Sequence, residues 1–142
     1  MAAEHVYPVR VFWEDTDAGG VVYHSNYLKF MERARSEMIR ESGVSQTAMA
    51  AECGAVLVVA SLSIEYRRPA VLEDALHVRS ALTELRRASC VIRQDIFRGE
   101  ELLTRGSVRI ACVDPKTHRP VPFPEKLHGA MAAFLAPSPD KE

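Results

Sequence analysis

The chain has 142 residues, with 18 Lys and Arg against 19 Asp and Glu and a formal net charge of −1. That length fits one domain around one core and leaves no room for a separate cofactor domain. The near-neutral balance excludes a general electrostatic grip on nucleic acid, and 47% hydrophobic with 26% charged residues excludes disorder as the main state.

In chain order, β-branched and aromatic residues over 6–13 predict a strand. Asp15-Thr16-Asp17-Ala18-Gly19-Gly20 follows, with short acceptor side chains and paired glycines that make a tight turn. Over 26–41 the period becomes helical: Tyr27, Met31, Ala34 and Met38 fall on one side, and Lys29, Glu32, Arg33, Ser36 and Arg40 on the other. Ser25 or Asn26 is the expected cap at its start, and Gly43 the residue just past its end. A short second helix is predicted over 45–52. Four strand-like segments follow, over 55–66, 75–85, 87–97 and 102–113, and Arg98-Gly99 marks a hairpin turn. Residues 114–124 are too proline-rich for a central strand. Pro124 opens a closing helix that runs to 135, and 136–142 are expected to fray.

Strand, long helix, four strands and short helix predict an α+β layer over 1–135, with consecutive strands pairing antiparallel. One helix covers only one face of such a sheet, so a second copy of the chain is expected against it, in a dimer or a larger assembly. The longest apolar run covers seven residues, 130–136, far short of the ~20 that span a membrane. The start, Met1-Ala2-Ala3-Glu4-His5, lacks the basic region and apolar stretch of a signal peptide. Cys53, Cys90 and Cys112 form no Cys-x-x-Cys pair. Free, mostly buried thiols in the cytoplasm are the expectation, with no zinc knuckle.

The chemistry concentrates in residues 14–27. Read as a calcium loop from Asp15, the segment has Asp17 and Gly20 in place, but Gly19 and Asn26 stand where an acid and the bidentate Glu belong. No Gly-x-Ser-x-Gly elbow, His-Glu-x-x-His pair or phosphate-binding Gly-rich loop occurs, and no metal is expected. What remains is a carboxylate ahead of a helix N-terminus. Its free N–H groups can bind a developing oxyanion, and an Asp beside them can serve as general base or nucleophile. From the residues alone, an Asp before a Gly-Gly turn is more often a plain Asx-turn or cap, and His24 more often a packing or capping residue.

The run Glu14-Asp15-Thr16-Asp17-Ala18-Gly19-Gly20-Val21-Val22-Tyr23-His24-Ser25-Asn26-Tyr27, with Phe30-Met31-Glu32-Arg33-Ala34-Arg35 after it and a weaker echo in Ile64-Glu65-Tyr66-Arg67-Arg68-Pro69, resembles hotdog-fold acyl-CoA thioesterases. The likeness is to the 4-hydroxybenzoyl-CoA thioesterase type, in the YbgC-like branch associated with the Tol-Pal envelope system. It implies a sheet wrapped round one long central helix. It also implies hydrolysis of an acyl-CoA to free acid and coenzyme A, with no cofactor beyond the coenzyme A of the substrate. Asp17 takes the place of the catalytic carboxylate, nucleophile or general base. His24 stands where a backbone N–H polarises the carbonyl, and Tyr23 and Asn26 shape the pocket. Asp15 matches the motif but reads as a structural turn acceptor. Arg86 and Arg87 match an Arg-Arg context that binds the phosphates of coenzyme A across a subunit interface, although Ala88 replaces a Lys found in some relatives. The carrier of the acyl group is coenzyme A or acyl carrier protein. An enoyl-thioester hydratase on the same fold, and a non-catalytic acyl-carrier or envelope-complex partner, are the competing readings.

Overall fold

The computed structural model describes residues 4–136. Strand β1 spans His5–Arg10, helix α1 Asn26–Glu41, helix α2 Gln46–Cys53, strand β2 Val56–Tyr66, strand β3 Ala75–Leu85, strand β4 Ser89–Arg98, strand β5 Glu101–Val113 and helix α3 Glu125–Ala132. The first strand stops three residues short of its expected end. The Asp15 carboxylate accepts the N–H of Phe12 at 2.9 Å and draws Trp13–Asp15 into a 3₁₀ turn. Gly43 and Gly99 take the positive φ expected of them, +92° and +61°. Ser45 caps α2 by accepting the N–H of Ala48.

All neighbouring strands are antiparallel, in the order β1-β3-β4-β5-β2. This corrects the expectation that consecutive strands pair throughout, because β2 lies beside β5 rather than β3. The connection between β2 and β3 is occupied elsewhere. Val22 N–H donates to Ala70 O, and Val21 bridges to Val71, so the link is held against the acidic turn and carries the chain across the sheet. Of the expected frayed tail, Ala136 is fastened, its N–H donating to Leu82 O at 2.7 Å. The remainder lies outside the described residues.

Helix α1 crosses the sheet with Phe30, Met31, Ala34 and Met38 fully buried, in one cluster with Val78, Leu82, Ile92, Ile96 and Val108. The Met31 side chain lies over Gly106, where an added Cβ would stand 2.5 Å from Met31 Cε and 3.0 Å from Gln94 O. Gly106→Val is therefore expected to lower stability by ~1–3 kcal/mol through overpacking, read as a shifted urea midpoint. A polar tether crosses the same layer. Buried Gln94 donates from Nε2 to Met31 O and Ser80 Oγ, and its Oε1 accepts from Arg35 Nη1 at 3.0 Å.

Cys90 and Cys112 are buried as expected, whereas Cys53 is exposed at the end of α2. Burial pushes the Cys90 thiol up to about 11 and raises Cys112 as well. A thiol reagent is thus expected to label Cys53 alone in the native chain, and all three cysteines after unfolding. Among the described residues, no helix is long and apolar enough to cross a membrane.

Candidate active site

The acidic turn is a small hairpin closed by the Thr16–Val22 bridge. Asp17 N–H donates to Val21 O, and Gly20 N–H returns to Asp17 O at 3.0 Å. Gly20 sits at φ +83°, a conformation that disfavours any side chain. The Asp17 carboxylate accepts the Gly19 N–H through Oδ1 at 2.8 Å. This is an Asx-turn, and it holds an exposed carboxylate in one orientation.

Asp15, two residues earlier, points the other way and is 6% exposed. Its Oδ1 accepts Asn26 Nδ2 at 2.6 Å and its Oδ2 the Phe12 N–H at 2.9 Å. Its carbonyl accepts the Tyr23 N–H, and Asn26 N–H in turn donates to Tyr23 O at 2.8 Å. The turn and the first residue of α1 are thereby locked together. The structural reading of Asp15 holds. Asn26, expected to shape the pocket, turns its side chain inward and is buried, where it fixes the turn to the helix through Asp15.

Ser25 occupies the cap position of α1 but in helical conformation, with no side-chain cap hydrogen bond. The expected side-chain cap is not made. Asn26 and Leu28 N–H groups are satisfied by Tyr23 O and Ser25 O. Among the described residues, those of His24, Ser25 and Tyr27 find no acceptor in the chain. They form a donor-rich helix end beside the Asp17 turn. Tyr66, at the far end of β2, steadies this end: its hydroxyl donates to His24 O at 2.5 Å. Tyr27 OH accepts the Ala70 N–H at 3.0 Å, and the two tyrosine rings meet edge to face at 5.4 Å. Burial raises both phenols above their ordinary range, Tyr66 with help from nearby Tyr27, so both remain protonated near neutral pH.

Asp17, Tyr23 and His24 thus share one exposed junction of turn and helix, with the Tyr23 and His24 rings tilted together at 4.4 Å. Arg86 and Arg87 do not join them within the chain. They occupy the turn after β3, while the Asp17 hairpin adjoins its beginning. The eleven residues of β3 separate the two by about 35 Å. Arg86 is exposed and pairs with Glu84 at 3.2 Å, and Arg87 is exposed as well. Sequence reasoning missed Tyr66, whose alternation marked a strand but not a partner 42 residues away. Among the described residues, no group of three or more His, Cys, Asp or Glu is placed to hold a metal.

The family model described as thioesterase-like superfamily matches residues 11–131. The "Acyl-CoA thioester hydrolase YbgC" of Escherichia coli O6:H1 is 45% identical over 122 residues, covering 85% of this chain and 90% of that one. The "Acyl-CoA thioesterase YbgC" of Haemophilus influenzae is 41% identical over 125 residues, covering 88% and 92%. Among solved structures, a probable thioesterase from Bartonella henselae superposes with a TM-score of 0.82 at 34% identity, covering 86% of this chain and all of that one. With a family match across the whole sheet-and-helix unit and relatives of nearly equal length, this α+β hotdog chain belongs to the thioesterase-like superfamily.

Proposed function

We propose that the protein hydrolyses acyl-CoA thioesters, with Asp17 as the reacting carboxylate and the N-terminal amides of α1 as the oxyanion site. One observation carries the reading. An exposed carboxylate is oriented by the Gly19 N–H beside a helix end with no side-chain cap. The thioester carbonyl oxygen is set against the helix amides at His24 and beyond. As general base, Asp17 takes a proton from water while that water attacks the carbonyl carbon. The oxyanion collapses, the C–S bond breaks, and the proton passes to the departing coenzyme A sulfur. As nucleophile, Asp17 attacks the carbonyl carbon, the C–S bond breaks and coenzyme A leaves as its thiolate, and water then opens the acyl anhydride at the Asp17 carbonyl, releasing the acid. Each amide donor is worth ~2.7–4 kcal/mol to the oxyanion. Single turnover in ¹⁸O-water separates the routes, since only the nucleophile takes the label into Asp17.

We assign Tyr23 to the wall of the substrate site, and Arg86 and Arg87 of a second copy to the coenzyme A phosphates. The edge strand β2 supports an oligomer. Among the described residues it bonds to β5 alone, which leaves its other edge open to the like strand of a second copy. Light scattering is expected to give a dimer or tetramer, and a monomer at micromolar concentration would sink this part. Free cysteines suit a reducing cytoplasm as the place of action.

The direct test gives purified protein short-chain, long-chain and aromatic acyl-CoAs with a thiol-trapping reagent, correcting for Cys53. Release of coenzyme A is the expected result. No release from any acyl-CoA overturns the reading, and enoyl-CoA hydration in its place would identify a hydratase. Gly19→Ala is a finer probe. The new Cβ would lie 3.2 Å from Asp17 Oδ1 and displace the carboxylate. A fall in kcat of up to about 10²-fold is expected, as for other small misplacements of a reacting group.

A further inference from the structure

The inner face of β2 stays partly exposed along its length and leads away from the Asp17 turn. It carries Tyr66, Ile64, Leu62, Val59 and Leu57, whose register partners Thr104, Gly106, Val108, Ile110 and Cys112 point to the helix side of the sheet. Tyr66 stands at the turn, bonded to His24 O. Leu57 stands at the far end, on a cavity of about 270 Å³ that is also lined by apolar Ile39, Ile92, Ile110 and Met131. Glu32, Arg35 and Ser36 line the same cavity from the helix.

Arg35 is out of place in such surroundings. It is partly buried, and burial holds its guanidinium below the ordinary range. Its one hydrogen bond goes to a neutral acceptor, Gln94 Oε1 at 3.0 Å. Gln94 cannot turn its amide to offer more, because Nε2 is committed to Met31 O and Ser80 Oγ. The nearest acid, Glu32 on the preceding turn, accepts the Ser36 hydroxyl at 2.6 Å. Among the described residues, Arg35 forms no ion pair. Among the described residues its other N–H donors have no partner in the chain, and they stay reachable from the cavity, where an anion can complete them. Carboxylates fit its planar fork best.

Resting on the thioesterase reading above, we propose that Arg35 sets acyl specificity by receiving a carboxylate at the distal end of the acyl group, so that the preferred substrates are ω-carboxyacyl thioesters. Arg35 stands nine helical positions after Asn26, about 13 Å along the axis. The carboxylate must therefore sit on an acyl chain long enough to span that distance from the thioester. The apolar β2 wall receives the methylene stem between the two ends.

The test measures kcat/KM on the full chain with a ladder of saturated acyl-CoAs from acetyl upward and the matching ω-carboxyacyl-CoAs. Wild type is expected to favour the carboxylate by about tenfold or more, the worth of a charge-assisted hydrogen bond, beginning only at the length that reaches Arg35. Arg35→Met is expected to abolish or invert that ratio, and Arg35→Lys to keep part of it. A wild type that prefers methyl-ended chains at every length overturns the proposal. So does a ratio unmoved in a folded Arg35→Met, which would make Arg35 a structural tether to Gln94. If that variant does not fold, the length dependence in wild type decides alone. Hydrolysis of plain acyl-CoAs without carboxylate preference removes this proposal and leaves the thioesterase reading standing. Inactivity on every substrate removes both.

Discussion

Asp17→Asn is expected to lower kcat for acyl-CoA hydrolysis by about 10²–10⁴-fold while leaving the melting temperature where it was. The asparagine keeps Oδ1, and with it the acceptor that takes the Gly19 N–H at 2.8 Å. The hairpin therefore stays closed. What is lost is the negative charge. A neutral amide neither takes the proton of an attacking water nor attacks a thioester carbonyl itself. Thiol release measured beside a thermal melt checks both halves. Equal rates in the two proteins would remove Asp17 from the chemistry and return it to the plain Asx-turn that its residue type also allows.

Asp15→Asn, two positions away, is expected to behave in the opposite way. Both Asp15 carboxylate oxygens already accept hydrogen bonds, one from Asn26 Nδ2 at 2.6 Å and one from the Phe12 N–H at 2.9 Å, at a site only 6% exposed. The amide puts an NH₂ against one of these donors and leaves it buried without an acceptor. The cost is about 3 kcal/mol, or a melting temperature lower by ~10 °C for a chain of this size. Activity falls too, because the turn is no longer fastened to the helix start. The pair separates two roles that the acidic motif writes in the same letters. Stability untouched with activity lost marks Asp17, and stability lost first marks Asp15. A melting temperature unchanged in Asp15→Asn would refute the clamp.

Local patterns were the legible part. The helical spacing of Tyr27, Met31, Ala34 and Met38 predicts α1 with the bounds observed, and the alternation of β3 does the same. Their side chains face one core, so burial imposes the period directly. The acidic turn was legible in outline, since Gly20 and the Asx acceptors have few other uses. Strand order was not legible. Consecutive strands favour pairing, but the 67–74 link is held to the acidic turn through Ala70 and Val71. That contact with Val21 and Val22 bridges about fifty residues and leaves no periodic trace. The missed residues share this cause. Tyr66 reaches His24, and Gln94 reaches Arg35 across 59 residues, only because β2 and β4 lie where the completed sheet puts them. Arg86 and Arg87 show the converse: their sequence context is specific, yet their distance from Asp17 follows only from the run of β3.

The two edges of the sheet are unlike. β1 carries Pro8, exposed, within its six residues, and a proline on an edge strand leaves a gap in the row of donors on its open side. Between Val56 and Tyr66, β2 has no proline. Stacking copies of the sheet into a fibre engages both edges of every copy, and Pro8 interrupts the ladder on β1. A molecule receptive along one edge can be joined there once, by the like edge of a twin, after which no pairing surface is left to propagate. The placement of a single proline thus guards against runaway cross-β growth in a chain whose other edge is long, apolar and open.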